Sequence, residues 1–120
     1  MIIESFEWLS LEAEEAEVIV SDGTYKIVCF SQPFRYEVGE MLEEPLEVLD
    51  IENLHLSSNV FVGAERINES FEYHISAKVI DKAEGIVQIG KIFISIDNFL
   101  LKYIDNNEIV DFSTSRIDIY

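Results

Sequence analysis

The hydrophobic and polar positions of this chain alternate over short stretches, which is typical of half-buried β-strands. Between Phe71 and Val79 the odd-numbered residues are apolar and the even-numbered residues are polar. Similar runs occupy residues 46–52, 86–96, 108–112 and 116–120. The alternation of the first of these runs shifts between Val48 and Leu49, which predicts a bulge there, and Gly90 predicts a kink in the second.

Two more β-rich runs flank an Asp22-Gly23 turn and predict a hairpin over residues 17–30. Pro33 ends this hairpin, because proline cannot donate a hydrogen bond to a sheet. The N-terminal segment is ambiguous, since residues 6–17 have apolar side chains at helical spacing while residues 2–9 also fit an edge strand. We expect a first strand and then one helical turn near residues 10–15, with Ser10 as its N-cap.

Six or more short strands, joined by turns rich in Gly, Asn and Asp, predict one mainly-β domain over residues 1–120. The bent strands favour a small Greek-key barrel of the OB type with at most one or two short helical turns. A β-sandwich is the alternative. The apolar fraction of 48% is enough for an ordinary globular core, and no linker-like stretch divides the chain.

Charge is the unusual property of this sequence. Twenty-four acidic and eight basic residues give a formal net charge of −16. Residues 1–66 hold fifteen of the acids and only Lys26, Arg35 and Arg66 as bases, so this half carries −12. A surface this acidic repels phosphate groups, which argues against nucleic acid as a direct partner.

The N-terminus lacks the basic and apolar regions of a signal peptide, and no apolar run approaches the roughly 18 residues that a membrane helix needs. Cys29 is the only cysteine, so an intrachain disulfide cannot form. These features predict a cytoplasmic protein that does not enter the membrane.

The sequence contains no recognisable catalytic motif. The glycines fit neither a phosphate-binding loop nor a dinucleotide fingerprint, and no G-x-S-x-G turn is present. We expect Cys29 to be a buried core thiol, and His74, on the polar phase of its run, to be a solvated side chain; His55 is no more informative. The Asp105–Glu108 stretch lacks the EF-hand pattern and predicts a turn. We therefore expect no catalytic residues, no metal ligands and no cofactor.

The acidic stretch that follows Phe34 is the one constellation that suggests a function. It has no basic residue between Arg35 and Arg66, and it begins beside large apolar side chains. Carboxylates around a few apolar anchors suit docking on a basic protein, because charge steers the encounter and the anchors contribute binding energy. The partner-binding residues that this hypothesis predicts are Phe34, Tyr36, Glu37, Glu40, Glu43, Glu44, Glu47, Asp50 and Glu52. A solvated acidic loop and strand face is the competing interpretation.

In being small, acidic and free of motifs, the chain resembles bacterial immunity proteins, which block nuclease toxins. The resemblance implies a non-enzymatic inhibitor whose carboxylates occupy a basic cleft of the partner. A small-ligand-binding or accessory-subunit β-barrel is the alternative function, and a carboxylate-dependent metal hydrolase is a third.

Overall fold

Nine β-strands and one short 3-10 helix account for the regular structure in the computed structural model, which describes residues 1–120. The strands are β1 (Ile2–Ser10), β2 (Glu15–Ser21), β3 (Lys26–Ser31), β4 (Leu46–Leu56), β5 (Gly63–Arg66), β6 (Tyr73–Asp81), β7 (Ile86–Ile89), β8 (Ile92–Ser95) and β9 (Ile109–Ile119). The 3-10 helix (Asn98–Leu101) lies between β8 and β9.

The strands form one sheet in the order β1-β2-β3-β9-β4-β8-β7-β6-β5. Because β9 also pairs with β6, the strands β4, β8, β7, β6 and β9 close into a five-stranded barrel. The mainly-β barrel and the near absence of helix are therefore confirmed, and the closed barrel is compatible with the OB type, which stays a prediction.

The barrel interior is filled by side chains from alternate positions of its strands. On β9, Val110 and Phe112 are fully buried, and on β6, Ile75 and Ala77 are fully buried. These residues belong to one cluster of 25 buried hydrophobic side chains, which also includes residues of β1, β2 and β3. A small barrel is closed by such packing, since its interior is just wide enough for its own side chains.

The strands β1, β2 and β3 form an antiparallel meander that extends the barrel from the end of β9, where Phe30 and Ser31 pair in parallel with Asp118 and Ile119. The predicted hairpin is confirmed as β2 and β3. Its loop is held by the Asp22 carboxylate, which accepts the backbone N–H groups of the two residues that precede β3. β3 ends at Ser31, directly before the cis Gln32-Pro33 peptide bond.

The expected first strand is confirmed as β1, and a turn follows it. The Ser10 hydroxyl accepts the Ala13 N–H at 3.1 Å, as an N-cap would. The Glu14 N–H bonds the Leu11 carbonyl, which closes a turn, and β2 begins at Glu15 before a helical turn can form.

Besides the helical turn expected near residues 10–15, three local predictions differ from the structure. Gly90 does not kink one strand; with φ of 58° it forms, with Lys91, the tight turn between β7 and β8, whose ends Ile89 and Ile92 pair. The β4–β9 register is regular at residues 48 and 49, and the bulge lies between Glu52 and His55. The runs at 108–112 and 116–120 belong to one strand, β9, because the polar residues between them still pair with β4.

Candidate functional site

The loop between β3 and β4, residues 32–45, carries the first half of the predicted docking site. Pro33 and Pro45 cannot donate to a sheet, and Gly39 has φ of 89°, so the loop cannot continue as a strand. It is nevertheless tied to β1. The Gly39 N–H donates to the Ile3 carbonyl at 2.7 Å, and the Ile3 N–H donates to the Glu40 carbonyl at 3.0 Å. The glutamates of this loop therefore extend from an anchored backbone.

Residues 37–52, which we call the acidic segment, present seven carboxylates to solvent. All seven side chains are exposed: Glu37, Glu40, Glu43, Glu44, Glu47, Asp50 and Glu52. None of them takes part in any ion pair of the chain. The only side-chain hydrogen bond among them is the one that Asp50 accepts from the Ser115 hydroxyl at 3.2 Å. The segment thus keeps its full negative charge available to a partner.

Half of the basic residues are paired outside the acidic segment. The four pairs are Lys26–Glu4 at 3.0 Å, Arg35–Glu14 at 3.2 Å, Arg66–Glu17 at 3.6 Å and Arg116–Asp118 at 2.7 Å. The hydrogen bond and charge of Arg35 lower the pKa of Glu14, so this arginine pairs with the turn between β1 and β2 and not with the acidic segment. The negative charge of the acidic segment is therefore not neutralised by these basic residues in the folded protein.

The two predicted aromatic anchors are packed inside the molecule to different extents. Phe34 is only 3% exposed, and its ring packs on Phe6 at 4.6 Å, on Trp8 at 5.8 Å and on Tyr36 at 6.0 Å between centroids. Its position corrects the prediction that it is a surface anchor, because a partner could touch it only if the loop opened. Tyr36 is half-buried, and its hydroxyl donates to the Tyr120 carbonyl at 2.6 Å.

The most exposed large apolar side chain in this loop is Met41, which is 66% exposed. Together with Tyr36, Leu46 and Tyr120 it lines a recess of about 200 Å³, which we call the tyrosine recess. Glu43 and Glu44 also line this recess. The loop therefore combines carboxylates with apolar surface, as the docking hypothesis expects, and of the two predicted anchors Tyr36 contributes to this surface while Phe34 does not.

Two more concavities follow along β4. An aliphatic groove of about 480 Å³ lies between β4 and the 3-10 helix, with Glu47 and Asp97 in its lining. A polar recess of about 370 Å³ contains Asp50 and Glu52 of β4 together with Glu72 and three hydroxyl side chains of β9. Six of the nine predicted residues thus line three neighbouring concavities, since the tyrosine recess reaches Leu46 and the other two share Ile51. The other three line none of these concavities: Phe34, Glu37 and Glu40.

A polar face on the outside of the barrel brings together residues that the sequence did not connect. His55, Asp111 and Ser76 are directly opposite one another on β4, β9 and β6. The next row joins Glu52, Ser113, His74 and Glu65 across four strands. Directly opposed residues share one face of a sheet. The alternation on β9 indicates that Asp111 and Ser113 share a face, but only the strand pairing places both histidines beside them.

Asp111 is the centre of this polar face. It is 7% exposed, and its carboxylate accepts the Ser76 hydroxyl at 2.6 Å and lies 3.7 Å from the His55 Nε2 atom. Burial would raise the pKa of Asp111, but hydrogen bonds from Ser76 and Ser57 and the charges of the two histidines outweigh it, so the pKa lies below its ordinary value. Asp111 is therefore a buried carboxylate that stays ionised.

The nucleophile candidates are not activated. Cys29 is fully buried, and burial together with the nearby Asp118 charge raises the pKa of its thiol. His74 lies 3.5 Å from the Ser113 hydroxyl, which is too long for a strong hydrogen bond, and Ser76 donates to Asp111 instead of to an imidazole. This geometry does not provide the base-activated hydroxyl or thiol that nucleophilic catalysis requires.

Comparisons with known proteins assign no family to this chain: no family model, curated protein or solved structure matches it. No group of three or more histidine, cysteine, aspartate and glutamate side chains is arranged to hold a metal ion. None of the helical structure is long and apolar enough to span a membrane.

Proposed function

We propose that this chain is a non-enzymatic interaction protein that docks its acidic segment on a basic protein, as a toxin-neutralising immunity-type inhibitor does. The observation that carries the proposal is the set of seven exposed carboxylates in residues 37–52 without a basic side chain at ion-pair distance. Unpaired charges of one sign are free to pair with a cationic surface, whereas internally paired charges would first have to separate.

The proposed mechanism is occlusion of a basic cleft. Carboxylates placed along a loop and strand would occupy positions that nucleic-acid phosphates take in a nuclease, and the overall charge of −16 would accelerate the encounter. The partner would be a basic protein such as a nuclease toxin, and the complex would form in the reducing cytoplasm. No small-molecule cofactor takes part in this mechanism.

The inactive state of the candidate nucleophiles supports a non-catalytic role. The Cys29 thiol is buried with a raised pKa, and the hydroxyl of Ser76 is occupied by the Asp111 carboxylate. Inhibition by occlusion needs neither group, because binding alone blocks the partner.

An accessory-subunit role is the second candidate, and exposed apolar side chains near the edge strand β1 favour it. Trp8 is 41% exposed, Leu9 is 49% exposed and Leu11 is 68% exposed. Exposed apolar side chains of this size can mark a protein contact. The ligand-binding form of this alternative is less favoured, because the barrel interior is filled by its own side chains.

Capture and charge reversal test the docking proposal. Partners are captured at low salt from the native host, and the purified partner is titrated with the wild type and with the triple variant Glu43→Lys, Glu44→Lys, Glu47→Lys. We expect the variant to lose at least tenfold in affinity, and we expect wild-type binding to weaken steeply as salt rises.

A matched control separates the effect of charge within the acidic segment from the effect of the net charge of the whole protein. The triple variant Glu12→Lys, Glu84→Lys, Asp105→Lys changes exposed acids outside the acidic segment and reaches the same formal charge, −16 + 6 = −10. We expect it to retain most of the affinity. Equal losses in the two variants, or binding that is indifferent to salt, would refute the docking proposal.

A further inference from the structure

The aliphatic groove exists because two barrel strands separate soon after they meet. β4 and β8 pair in parallel only at Leu46–Ile94 and Glu47–Ser95. β8 then ends at Ser95 and the chain turns into the 3-10 helix, whereas β4 continues to Leu56 with β9 on its other side. From Val48 onward this edge of β4 has no strand neighbour, and the groove fills the gap.

The lining of the groove is aliphatic with acidic side chains beside it. Val48 and Ile51 of β4 face Ile96 and Leu100 across the gap, and Leu100 is 38% exposed. Ser95, Glu47 and Asp97 complete the lining, and neither carboxylate is part of an ion pair. A groove with this composition has room for an apolar side chain and attracts positive charge beside it.

Charge on both sides of the groove determines what can occupy it. At the Leu46 end lie Glu43 and Glu44 of the tyrosine recess, and at the Ile51 end lie Asp50 and Glu52 of the polar recess. These carboxylates would repel an acidic segment, and a neutral segment would gain no charge attraction from them. A segment with an apolar residue between lysines or arginines would place its apolar side chain in the groove and its charges at both ends.

We propose that the groove between residues 47–51 of β4 and residues 95–100 seats an apolar side chain of the basic partner, flanked by partner Lys or Arg side chains that reach the carboxylates at either end. This inference rests on the proposed function and deepens it, because it names the contact that gives specificity. Charge alone would attract any basic surface, whereas a filled aliphatic groove would select a partner with the right sequence.

Two synthetic peptides of equal charge test the groove. The probe is Arg-Lys-Leu-Lys-Arg with blocked ends, and its control is Arg-Lys-Ser-Lys-Arg with the same blocking groups. Each is titrated into the full ¹⁵N-labelled chain and followed by amide chemical shifts. We expect the leucine peptide to bind about tenfold more tightly, the effect of burying much of one leucine side chain. Its shifts should cluster at residues 47–51 and 95–100.

Variants distinguish the groove from the surrounding charge. Leu100→Ser removes apolar lining and should reduce binding of the leucine peptide to the level of the serine peptide, whereas Tyr103→Ser, at an 87% exposed residue just beyond the 3-10 helix, should leave it unchanged. Asp97→Asn keeps the hydrogen bond that the Asp97 side chain accepts from the Phe99 N–H, and it should weaken both peptides equally. Amide dispersion in each spectrum reports whether the variant is folded.

The outcomes separate this inference from the proposed function. Equal binding of the two peptides, shifts away from the groove, or no binding of either peptide would overturn the groove assignment. If Leu100→Ser also leaves the affinity for the purified natural partner unchanged while the Glu43, Glu44 and Glu47 reversal abolishes it, the docking function stands and the groove fails. If the reversal has no effect either, both fail.

Discussion

At the scale of single residues, Phe34 and Asp111 show how position in the fold changes the role of a side chain. Phe34 belongs to an acidic loop, yet its ring is buried against Phe6, Trp8 and Tyr36. Asp111 is one of 24 acids, yet it is buried and held by hydroxyls and imidazoles. The first stabilises the loop that carries the glutamates, and the second stabilises the pairing of β4, β9 and β6.

Replacing Phe34 should destabilise the protein and leave its charge unchanged. Phe34→Ala removes a buried ring from the aromatic cluster and leaves a cavity, so we expect a loss of about 3 kcal/mol in the free energy of unfolding. Urea denaturation measures it. Val38→Ala is the control in the same loop, since Val38 is 60% exposed and its truncation should change stability by less than about 0.5 kcal/mol. A small effect of Phe34→Ala would show that the loop does not depend on the ring.

Asp111 should make stability depend on acid pH. Its pKa in the folded protein lies below the unfolded value of about 3.9, so its ionised form favours folding. This contribution is fully present above about pH 4 and is lost as the pH falls through the folded-state pKa.

The variant Asp111→Asn tests this linkage. It should be less stable than the wild type at pH 7, and its stability should fall less steeply between about pH 4 and pH 2. Thermal unfolding at a series of pH values measures both, and Asp105→Asn, at an exposed turn position, is the charge-matched control. Parallel pH profiles for the wild type and Asp111→Asn would contradict the assignment.

At the scale of elements, the turns decide how the strands are joined into the barrel. The turn between β7 and β8 lies against the loop between β2 and β3, because the Asp22 carboxylate accepts the Lys91 N–H at 2.7 Å. The Asp22 side chain thus connects the meander to the barrel in addition to the pairing of β3 with β9. Gly90 permits this contact, since its φ is positive and it has no Cβ atom to collide with the neighbouring loop.

A substitution at Gly90 should disturb this junction. In Gly90→Ala the new Cβ would overlap the Asp22 carboxylate and the Tyr25 ring, and alanine disfavours positive φ, so we expect a loss of more than about 1 kcal/mol in stability. Gly63→Ala on β5 is the matched control, because nothing lies within 4 Å of its added Cβ and its φ is not positive. Chemical denaturation compares the stabilities of the two variants. Similar stabilities would show that the contact between the loops does not require a glycine at position 90.

The free edge of β4 has an irregular backbone. Asp50 and Asn53 have φ of 55° and 57°, and the bulge between Glu52 and His55 follows. Backbone of this kind is a poor template for another strand, and charged side chains on the edge reinforce the effect. The edge therefore resists strand-to-strand association and remains available for side-chain docking in the aliphatic groove.

At the scale of the whole molecule, the net charge is the dominant physical property. The protein measures 43 × 24 × 23 Å, whereas the Debye length is about 30 Å at 0.01 M salt and about 10 Å at 0.1 M. At low salt most of the acidic groups therefore repel one another across the structure. This repulsion lowers the stability of the folded state, and it is the same field that would attract a basic partner.

Salt should consequently stabilise the protein on its own. We expect the Tm to rise as NaCl is increased from about 0.01 M to about 0.5 M, because screening weakens self-repulsion. The Glu43, Glu44 and Glu47 reversal should raise the Tm at low salt and reduce its salt dependence. Scanning calorimetry without any partner measures both, and a Tm that falls with NaCl would contradict this account.

Much of the local structure follows from the sequence, because strand alternation and turn chemistry are short-range properties. The β2–β3 hairpin, its end before Pro33, the strand near residues 71–79 and the turn at residues 105–108 are all predictable in this way. Gly90 marked a change of direction, but a lone glycine does not distinguish a kink from a tight turn. That distinction depended on whether β7 and β8 pair.

The sequence by itself determined the mainly-β class and the charge of the acidic segment, since both depend only on which residues occur and how they alternate. Only the tertiary structure decided which strands close the barrel, that Phe34 is buried, and that His55, His74 and Asp111 share one face. Those features join residues up to 71 positions apart, such as Glu47 and Asp118, and their contacts depend on strand order and register, which alternation alone does not specify. The aliphatic groove was also decided only by the tertiary structure, because it arises where β8 ends and β4 continues.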